Sequence, residues 1–325
     1  MEYITLLAVL VLLVVLELFY FRIADRFNII DKPNQRSSHT AVTLRGGGIV
    51  FLMGAWIYSL FYGFQYPLFL TGLTLIAGIS FADDIHPIKN KYRLVVQFAS
   101  MALLFVEWGL MTAELWWLVP IALVVCVGII NAYNFMDGIN GITGGFSLAV
   151  FVSLWYVNRE LEFVDGRFLE VAILSLLVFL FFNFRKRAKC FAGDVGAVGI
   201  AFMVMFALGR LIVKTGDLSY ILFLAMYGVD SVLTIVHRIM LKENIGEAHR
   251  KHAYQLMANE LGMDHRVVSA IYVVMQLAVS FGLILLPVNH WLYVAIVLPI
   301  LSLAYVAFKR KYYYLHEAYL REVRG

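Results

Sequence analysis

The sequence has 325 residues, of which 62% are hydrophobic and 15% charged, and its mean hydropathy is +0.81. Soluble globular domains are less apolar than this, so the composition excludes that class and predicts a protein that crosses a membrane many times. The net charge is only +4, and the two cysteines, Cys126 and Cys190, lie in or beside apolar segments. Neither a disulfide framework nor a cysteine zinc site is expected.

Apolar segments follow one another along the whole chain. Because each needs ~20 residues to cross ~30 Å, about eleven spans are expected, some of them short. They cover residues 3–21, 46–62, 67–82, 94–111, 115–131, 142–157, 170–184, 193–213, 219–237, 267–286 and 291–308. We therefore predict an all-α, polytopic integral membrane protein in which residues 1–325 form a single membrane domain.

The connections between these spans alternate between basic and neutral or acidic composition. Basic residues also occupy the C-terminal tail. By the positive-inside rule the N-terminus faces out and the C-terminus faces the cytoplasm. Five loops are then expected on the cytoplasmic face, namely 22–45, 83–93, 131–141, 185–196 and 238–266.

The stretch NAYNFMDGINGITGG, residues 131–145, is interpreted as a polar, glycine-rich loop between two apolar spans. It carries three amides, Asn131, Asn134 and Asn140, and one carboxylate, Asp137. Glycine lets the backbone approach a ligand closely, and a carboxylate beside apolar spans is costly unless it is wet, paired or holding a metal. A simple Asn- and Gly-rich membrane turn is the alternative.

The other four loops carry charges of both signs. Cations and hydroxyls before the glycines of a helix start predict an anion site in the first loop, at His39 and Arg45, although a lipid-facing basic loop would look the same. The adjacent carboxylates Asp83 and Asp84 repel each other, which a divalent cation or a basic partner would relieve. Lys89 follows them.

In the fourth loop, Gly193 and Asp194 stand at the start of a span, where an aspartate is either a metal ligand or a helix cap. The fifth loop reads EAHRKHAYQLM and contributes His249, Arg250 and His252. Because Arg250 stands beside the histidines, this loop favours an anion such as a diphosphate over a metal.

Together, carboxylates from three loops and cations from the same face make the equipment for phosphoryl transfer from a nucleotide, with Mg²⁺ held by the carboxylates. A site at the cytoplasmic surface implies one soluble and one lipid substrate.

These residues resemble the polyprenyl-phosphate N-acetylhexosamine-1-phosphate transferases, an integral membrane family of bacteria with ten or eleven helices. The resemblance covers nearly the whole chain. It lies in five ordered motifs: PNQRSSH with GGG, the Asp83–Asp84 pair, NxxNxxDGxNG, FAGDVG at residues 191–196, and the basic histidine loop.

The resemblance implies that a UDP-activated N-acetyl amino sugar gives its sugar 1-phosphate to undecaprenyl phosphate, with Mg²⁺ (or Mn²⁺ as a substitute), at the bacterial inner membrane. It implies catalytic roles for Asp83, Asp84, Asp194 and His249, with the three aspartates as metal ligands. Substrate binding would fall to His39, Arg45, Lys89, Asn131, Asn134, Asp137, Asn140, Gly193, Arg250 and His252. The lipid bilayer and a homodimer partner fit this reading, and nucleic acid does not.

The sequence departs from the family pattern at three places. AVTLRGGG lacks the prolines that usually precede the glycines, and Ala197 replaces the usual serine after GDVG. HRKHAYQ differs from the triple-histidine string of the muramyl-pentapeptide branch. The chain is thus more similar to the branch that uses UDP-N-acetylglucosamine or deoxy amino sugars for O-antigen or capsule-type polysaccharide, and the sugar stays open.

Two other classes of membrane protein are alternatives, a transporter and a non-catalytic scaffold. A transporter would place ionisable groups near the midplane, often with internal repeats, whereas here the carboxylates stand at span ends. A non-catalytic scaffold for glycan assembly would not need the carboxylates that are present. Direct attack by the lipid phosphate and a covalent aspartyl intermediate both remain open.

Overall fold

A computed structural model describes residues 2–33, 38, 41–111, 116–246 and 249–324. Within these residues almost the whole chain is helical. The α-helices are α1 (Glu2–Arg26), α2 (Ile49–Tyr62), α3 (Pro67–Ile85), α4 (Asn90–Glu107), α5 (Val119–Met136), α6 (Ile142–Leu161), α7 (Gly166–Asn183), α8 (Gly193–Thr215), α9 (Ala225–Met240), α10 (Ala253–Gln255), α11 (His265–Leu285) and α12 (His290–Arg324). A 3₁₀ helix, Leu218–Leu224, runs into α9, and a π-helical turn, Leu256–Glu260, follows α10.

Two short strands tie the first loop to the bundle. Strand β1, Ile30–Asp31, pairs antiparallel with β2, Thr43–Leu44. Leu44 also forms a parallel bridge with Cys190, just before α8. The residues that follow β2 are therefore held beside the start of α8, which matters for the site described below.

The helix ends meet in two groups, which define two ends of the bundle. At the site end, the last turn of α3 meets the first turn of α8, where Asp84 accepts the N–H of Asp194 at 2.9 Å. At the far end, the N–H of Leu68 in α3 donates to Glu107 in α4 at 3.0 Å. The hydroxyl of Tyr58 in α2 donates there to Asp165, the residue that caps α7, at 2.8 Å.

Counted between these two ends, the described helices make eleven passages, α1 to α9 with α11 and α12. Eight segments are long and apolar enough to cross a membrane, and α2 is a shorter apolar helix. The prediction of an all-α, multi-pass membrane protein with about eleven spans is confirmed. The short α10 does not cross, and lies in the connection between α9 and α11.

Helix α8 is the most enclosed of the eleven. Most of its 23 residues are buried, because helices α2, α3, α5 and α6 all pack around it. Small residues make room for that packing, and aromatic rings fill the remaining space, as where Phe69 of α3 stacks on Phe206 of α8 with 4.2 Å between ring centroids. The first turn of this buried helix is thus fixed in position.

The interpretation of residues 131–145 as one long loop was wrong. Helix α5 continues to Met136 and α6 begins at Ile142, so that only residues 137–141 form a turn. The helix persists because Asn131 bonds within it, donating from Nδ2 to the Val127 carbonyl at 2.8 Å. A side chain that bonds the preceding turn costs the helix little, so polar composition alone did not end it.

Two other expected loops are shorter than their polar composition suggested. Asp83 and Asp84 belong to the last turn of α3, and Gly193 and Asp194 belong to the first turn of α8. The chain breaks at Pro87 between two helices, since α3 ends at Ile85 and α4 begins at Asn90. Charged residues here stand on helix termini, which positions them more rigidly than loops would.

Candidate active site

The start of α8 is built around Asp84. Its two carboxylate oxygens accept the N–H groups of Asp194 at 2.9 Å and Val195 at 3.0 Å. The first N–H groups of a helix have no partner within the helix and carry a partial positive charge, so a carboxylate is a suitable cap. Asp84 is only 9% exposed. It therefore joins α3 to α8 as well as contributing charge to the site.

Gly193 permits this close approach. Its φ is +70°, a conformation that L side chains rarely adopt, and a Cβ there would lie 2.5 Å from Asp84 Oδ2. Only glycine satisfies both conditions. The role that the structure gives Gly193 is thus to let a carboxylate reach the helix start.

Arg45 bridges two carboxylates from one side. Its Nε lies 2.6 Å from Asp84 Oδ1 and its Nη2 lies 3.1 Å from Asp194 Oδ1. The Arg45 backbone is fixed by the Tyr20 hydroxyl, which donates to its carbonyl at 2.6 Å. Burial lowers the pKa of the guanidinium, but the facing carboxylates outweigh this and raise the pKa above its usual value. Arg45 is therefore a permanent cation at the site.

Arg93, at the start of α4, bridges from the other side. Its Nη1 lies 2.8 Å from Asp83 Oδ2 and its Nη2 lies 2.6 Å from Asp194 Oδ2. Asp83 also accepts the N–H of Ile88 at 2.6 Å. Arg93 is not among the residues that the sequence motifs pointed to. Its position ten residues after Asp83, across a proline break, was the available signal that it faces the carboxylates.

The last turns of α5 supply amides, with different partners. Asn134 donates from Nδ2 to Asp194 Oδ2 at 3.4 Å, and so belongs to the site. Asn131 instead donates to the side chain of Gln97 in α4 at 2.8 Å. It is thus one turn away from the carboxylates and joins two helices.

Asp137 lies in the turn after α5 and lines the cavity. Burial, with the charges of Asp194 and Asp84, raises the pKa of its carboxyl to about 7, although the Thr143 hydroxyl lowers the pKa. The carboxyl therefore keeps its proton to a higher pH than an ordinary surface aspartate does.

These groups open into a cavity of about 280 Å³ at the site end, lined by Arg45, Asn134, Asp137, Gly193, Asp194, Gln255 and His265, among others. An adjoining cavity of about 710 Å³ shares Asn140, Phe191 and His265 with it and is bordered by Lys186, Arg187 and Lys189. The first cavity contains the site carboxylates, and the second adds three basic side chains together with Asp25 and Asp264. The basic side chains suit a ligand with several phosphates.

Asn140 holds the wall between the two cavities. Its Nδ2 donates to the Arg185 carbonyl at 2.8 Å, and its own carbonyl accepts the Ser269 hydroxyl at 2.8 Å. Its N–H points at Nδ1 of His265 at 3.4 Å. His265 and Gln255 also line the cavity. Gln255 stands within EAHRKHAYQLM, where only the basic side chains were considered, and His265 lies beyond that motif.

The histidine loop is more buried than a ligand-contacting loop was expected to be. Burial, together with the charges of neighbouring Arg238 and Lys251, lowers the pKa of His249 to about 3, so this imidazole is neutral near pH 7. His252 is 2% exposed and pairs with Asp230 at 3.2 Å.

Arg250 points away from the cavity. Its guanidinium lies 3.4 Å from Glu260 and 4.5 Å from the ring centre of Tyr319 in α12. Lys89 is exposed at the start of α4. His39 lies outside the described residues.

The structure brings the three expected metal ligands, Asp83, Asp84 and Asp194, close together. Arginine side chains lie between these carboxylates and pair with them. Among the described residues no cluster of three His, Cys, Asp or Glu side chains forms a metal site by itself. Two guanidinium groups pair with three carboxylates, which leaves a formal charge of −1, and the carboxyl of Asp137 lines the adjoining cavity. Hard oxygen donors with that residual charge fit a divalent cation such as Mg²⁺.

Known proteins resemble this chain across the segments that carry the site. The model of glycosyl transferase family 4 matches residues 66–212, which include both halves of the carboxylate site. The chain is 27% identical over 298 residues to the "Probable undecaprenyl-phosphate N-acetylglucosaminyl 1-phosphate transferase" of Bacillus subtilis (strain 168), covering 83% of this chain and 81% of that protein.

Two further relatives have similar names. The "Undecaprenyl-phosphate alpha-N-acetylglucosaminyl 1-phosphate transferase" of Thermotoga maritima is 28% identical over 74% of this chain and 76% of its own length. The "Decaprenyl-phosphate N-acetylglucosaminephosphotransferase" of Mycobacterium leprae is 26% identical over 80% of this chain and 77% of its own. With the family match across the carboxylate site and relatives along most of its length, this chain is similar to proteins of glycosyl transferase family 4.

Proposed function

We propose that the protein transfers an N-acetyl amino-sugar 1-phosphate from a UDP-sugar to undecaprenyl phosphate, giving the lipid-linked diphosphosugar and UMP. The observation that carries the proposal is the meeting of Asp84, Asp194, Arg45 and Arg93 at the buried start of α8, at the mouth of a cavity. The names of the relatives support the same class of reaction, and make UDP-N-acetylglucosamine the first donor to test. The product would start an O-antigen- or capsule-type polysaccharide.

In this reaction an oxygen of the lipid phosphate forms a bond to the phosphorus next to the sugar. The bond from that phosphorus to the bridging oxygen breaks, and UMP leaves with that oxygen. A strong base is not needed, because a phosphate monoester is already largely ionised above its second pKa of ~6. The main task of the site is to hold two anions together and to stabilise the charge that moves between them.

Arg45 and Arg93 are suited to that task because each is fixed by two carboxylates. The carboxylates keep the guanidinium groups in place, so little reorganisation is needed when phosphates arrive. A bound Mg²⁺, with Asp194, Asp83 and Asp84 as its proposed ligands, would shield the phosphate charges. Asn134 and Asp137 would border the nucleotide side of the cavity.

The test uses purified protein in detergent with undecaprenyl phosphate, Mg²⁺ and a panel of UDP-amino sugars, and measures UMP. UMP that forms only with lipid and metal both present supports the transferase. Asp194→Asn should abolish it, whereas Asp217→Asn, at the far end of the bundle beside His290, should leave it unchanged. Full activity in Asp194→Asn, or UMP release without lipid, would refute the proposed reaction.

A further inference from the structure

A second buried carboxylate, Asp230 of α9, lies outside the cavity and is 2% exposed. Five donors surround it: the Thr234 hydroxyl at 3.1 Å, His252 Nδ1 at 3.2 Å, the N–H groups of Ala253 at 3.0 Å and Tyr254 at 3.4 Å, and the Tyr272 hydroxyl at 2.6 Å. A buried charge is tolerated only with such compensation. Because all five donors must be in place to compensate the charge, the carboxylate holds them in fixed positions.

Three of the five donors belong to one segment, residues 252–254. An ionised carboxylate has no hydrogen to give, so His252 Nδ1 carries the shared proton and the orientation of the ring is fixed. The Nε2 atom of His252 is buried and has no hydrogen-bond partner among the described residues. Asp230 therefore anchors both the backbone and the imidazole of this segment.

The anchored segment touches the turn that carries Asp137. The Tyr254 hydroxyl donates to the Phe135 carbonyl at 3.0 Å. The same hydroxyl stands so close to Gly138 that a Cβ there would collide with it. Phe135 and Gly138 flank Asp137 in the chain, so Tyr254 contacts the backbone both before and after that residue.

The segment also supplies part of the cavity wall. Gln255, the next residue along, lines the cavity, and its Oε1 accepts the N–H of His252 at 3.2 Å. A chain of direct contacts thus runs from Asp230, through residues 252–254, to Gln255 and to the turn at 137–141.

We propose that Asp230 is a positioning residue for the cavity: by holding residues 252–254 it fixes Gln255 and the turn around Asp137. What the cavity binds rests on the proposed function, whereas the chain of contacts does not. Because a displacement of about 1 Å at a reacting site can cost as much as 100-fold in rate, loosening this anchor should be felt in activity although Asp230 touches no substrate.

The test compares Asp230→Asn with Asp217→Asn. Asp217 is a matched control, since it also accepts from a histidine, His290 at 2.6 Å, and from a backbone N–H, Ser219 at 2.9 Å, but at the far end. Two readouts are used: hydrogen–deuterium exchange of peptides covering 135–141 and 249–257, and the KM for UDP-N-acetylglucosamine in the UMP assay.

Asp230→Asn should speed exchange in both peptides and raise the KM by about tenfold to a hundredfold. Asp217→Asn should change neither. The turn does not contact Asp230 directly, so it can respond to Asp230→Asn only through residues 252–254. Unchanged exchange at 135–141 in this variant would therefore overturn the inference. If the wild-type protein makes no UMP but exchange responds as expected, the transferase proposal fails and the positioning role stands.

A second variant covers the case in which Asp230→Asn does not fold. Tyr254→Phe removes only the hydroxyl that bonds Phe135. It should raise exchange at 135–141 and the KM in the same direction by a smaller factor, with residues 252–253 still protected. Wild-type exchange at 135–141 in folded Tyr254→Phe would show that the chain of contacts does not transmit position, and would overturn the inference.

Discussion

At the scale of single residues, the site depends on carboxylates that serve as structural caps and as charges together. Asp84 caps α8 with both oxygens while Arg45 lies 2.6 Å from one of them. Removing its charge would therefore alter the position of Asp194 as well as the charge of the cavity.

Loss of Asp83 or Asp84 should lower turnover more than it raises the KM for the nucleotide sugar. A change confined to KM would assign the two aspartates to substrate binding.

Arg93→Ala tests how far the site depends on its internal ion pairs. The change leaves Asp83 and Asp194, whose side chains are 11% and 13% exposed, without their shared cation. Breaking a buried pair by removing one partner costs about 3 kcal/mol or more. Thermal unfolding in detergent should show this loss, together with a drop in UMP formation.

Arg266→Ala is the control for that change. Arg266 pairs with Asp264 at 2.8 Å, but the two side chains are 44% and 33% exposed. Solvent screens exposed pairs, which contribute little to stability, so the unfolding temperature should barely move. An equal fall in unfolding temperature in the two variants would mean that the buried pairs around Asp194 stabilise the protein no more than an exposed pair does.

The raised pKa of Asp137 predicts a pH dependence of stability. Below its ordinary value of 3.8 the carboxyl is protonated in both states, and between that value and about 7 only the folded protein keeps the proton. The folded state then binds more protons, so the free energy of unfolding falls as pH rises through this window and is constant above it.

Thermal unfolding from pH 4 to pH 8, with a chelator present, measures that fall. Asp137→Asn cannot titrate and should lose this part of the pH dependence while remaining folded. If wild-type and Asp137→Asn proteins give parallel curves, Asp137 titrates as an ordinary aspartate and its burial does not raise its pKa.

At the scale of elements, the first turns of α2 and α8 meet through glycines. A Cβ on Gly196 would lie 2.6 Å from the Cα of Gly48, so nothing larger than glycine fits between the two backbones. The contact brings the end of the first loop against the start of α8. The glycines of two separate motifs therefore act as one packing unit.

Gly48→Ala should disrupt that unit. Backbone atoms cannot yield as a flexible side chain does, so overpacking should cost about 1–3 kcal/mol and move Arg45 relative to Asp194. UMP formation and thermal unfolding both report it. Gly128→Ala, on the exposed side of α5 with open space around it, should change stability by no more than about 1 kcal/mol, in the stabilising direction.

At the scale of the whole molecule, the bundle separates its functions by end. The site end gathers Asp84, Asp194, Arg45 and Arg93 with the two cavities described above. The far end has a separate cavity of about 540 Å³, lined by Tyr66, Asp165 and Arg210 among others. By the distribution of basic residues we predict that the site end faces the cytoplasm.

Cysteine labelling in cells tests this orientation. Cys126 and Cys190 are 8% and 0% exposed, so they give little background. Leu218→Cys at the far end and Ile245→Cys at the site end replace side chains of similar exposure, 54% and 56%. A membrane-impermeant maleimide should label Leu218→Cys in intact cells and Ile245→Cys only after permeabilisation. The reverse pattern would invert the topology.

The sequence by itself determined the class of architecture, the number of passages and the segments that carry the site. Hydropathy is a property of consecutive residues, so spans can be recognised without their neighbours. Polar motifs beside spans are visible for the same reason. Thus Asp83, Asp84, Asp194, Asn134 and Arg45 were all named in advance, and the structure brings them together.

Only the tertiary structure decided which side chains face one another. Arg93 joins Asp83 to Asp194, Asn131 turns to Gln97, and Arg250 turns to Glu260, because helix rotation and packing set those directions. The end of α5 also differs from the expected one. The Asn131 amide bonds the preceding turn, and the helix continues through a polar stretch to Met136. Pairing across helices depends on residues far apart in the chain, and no local pattern records it.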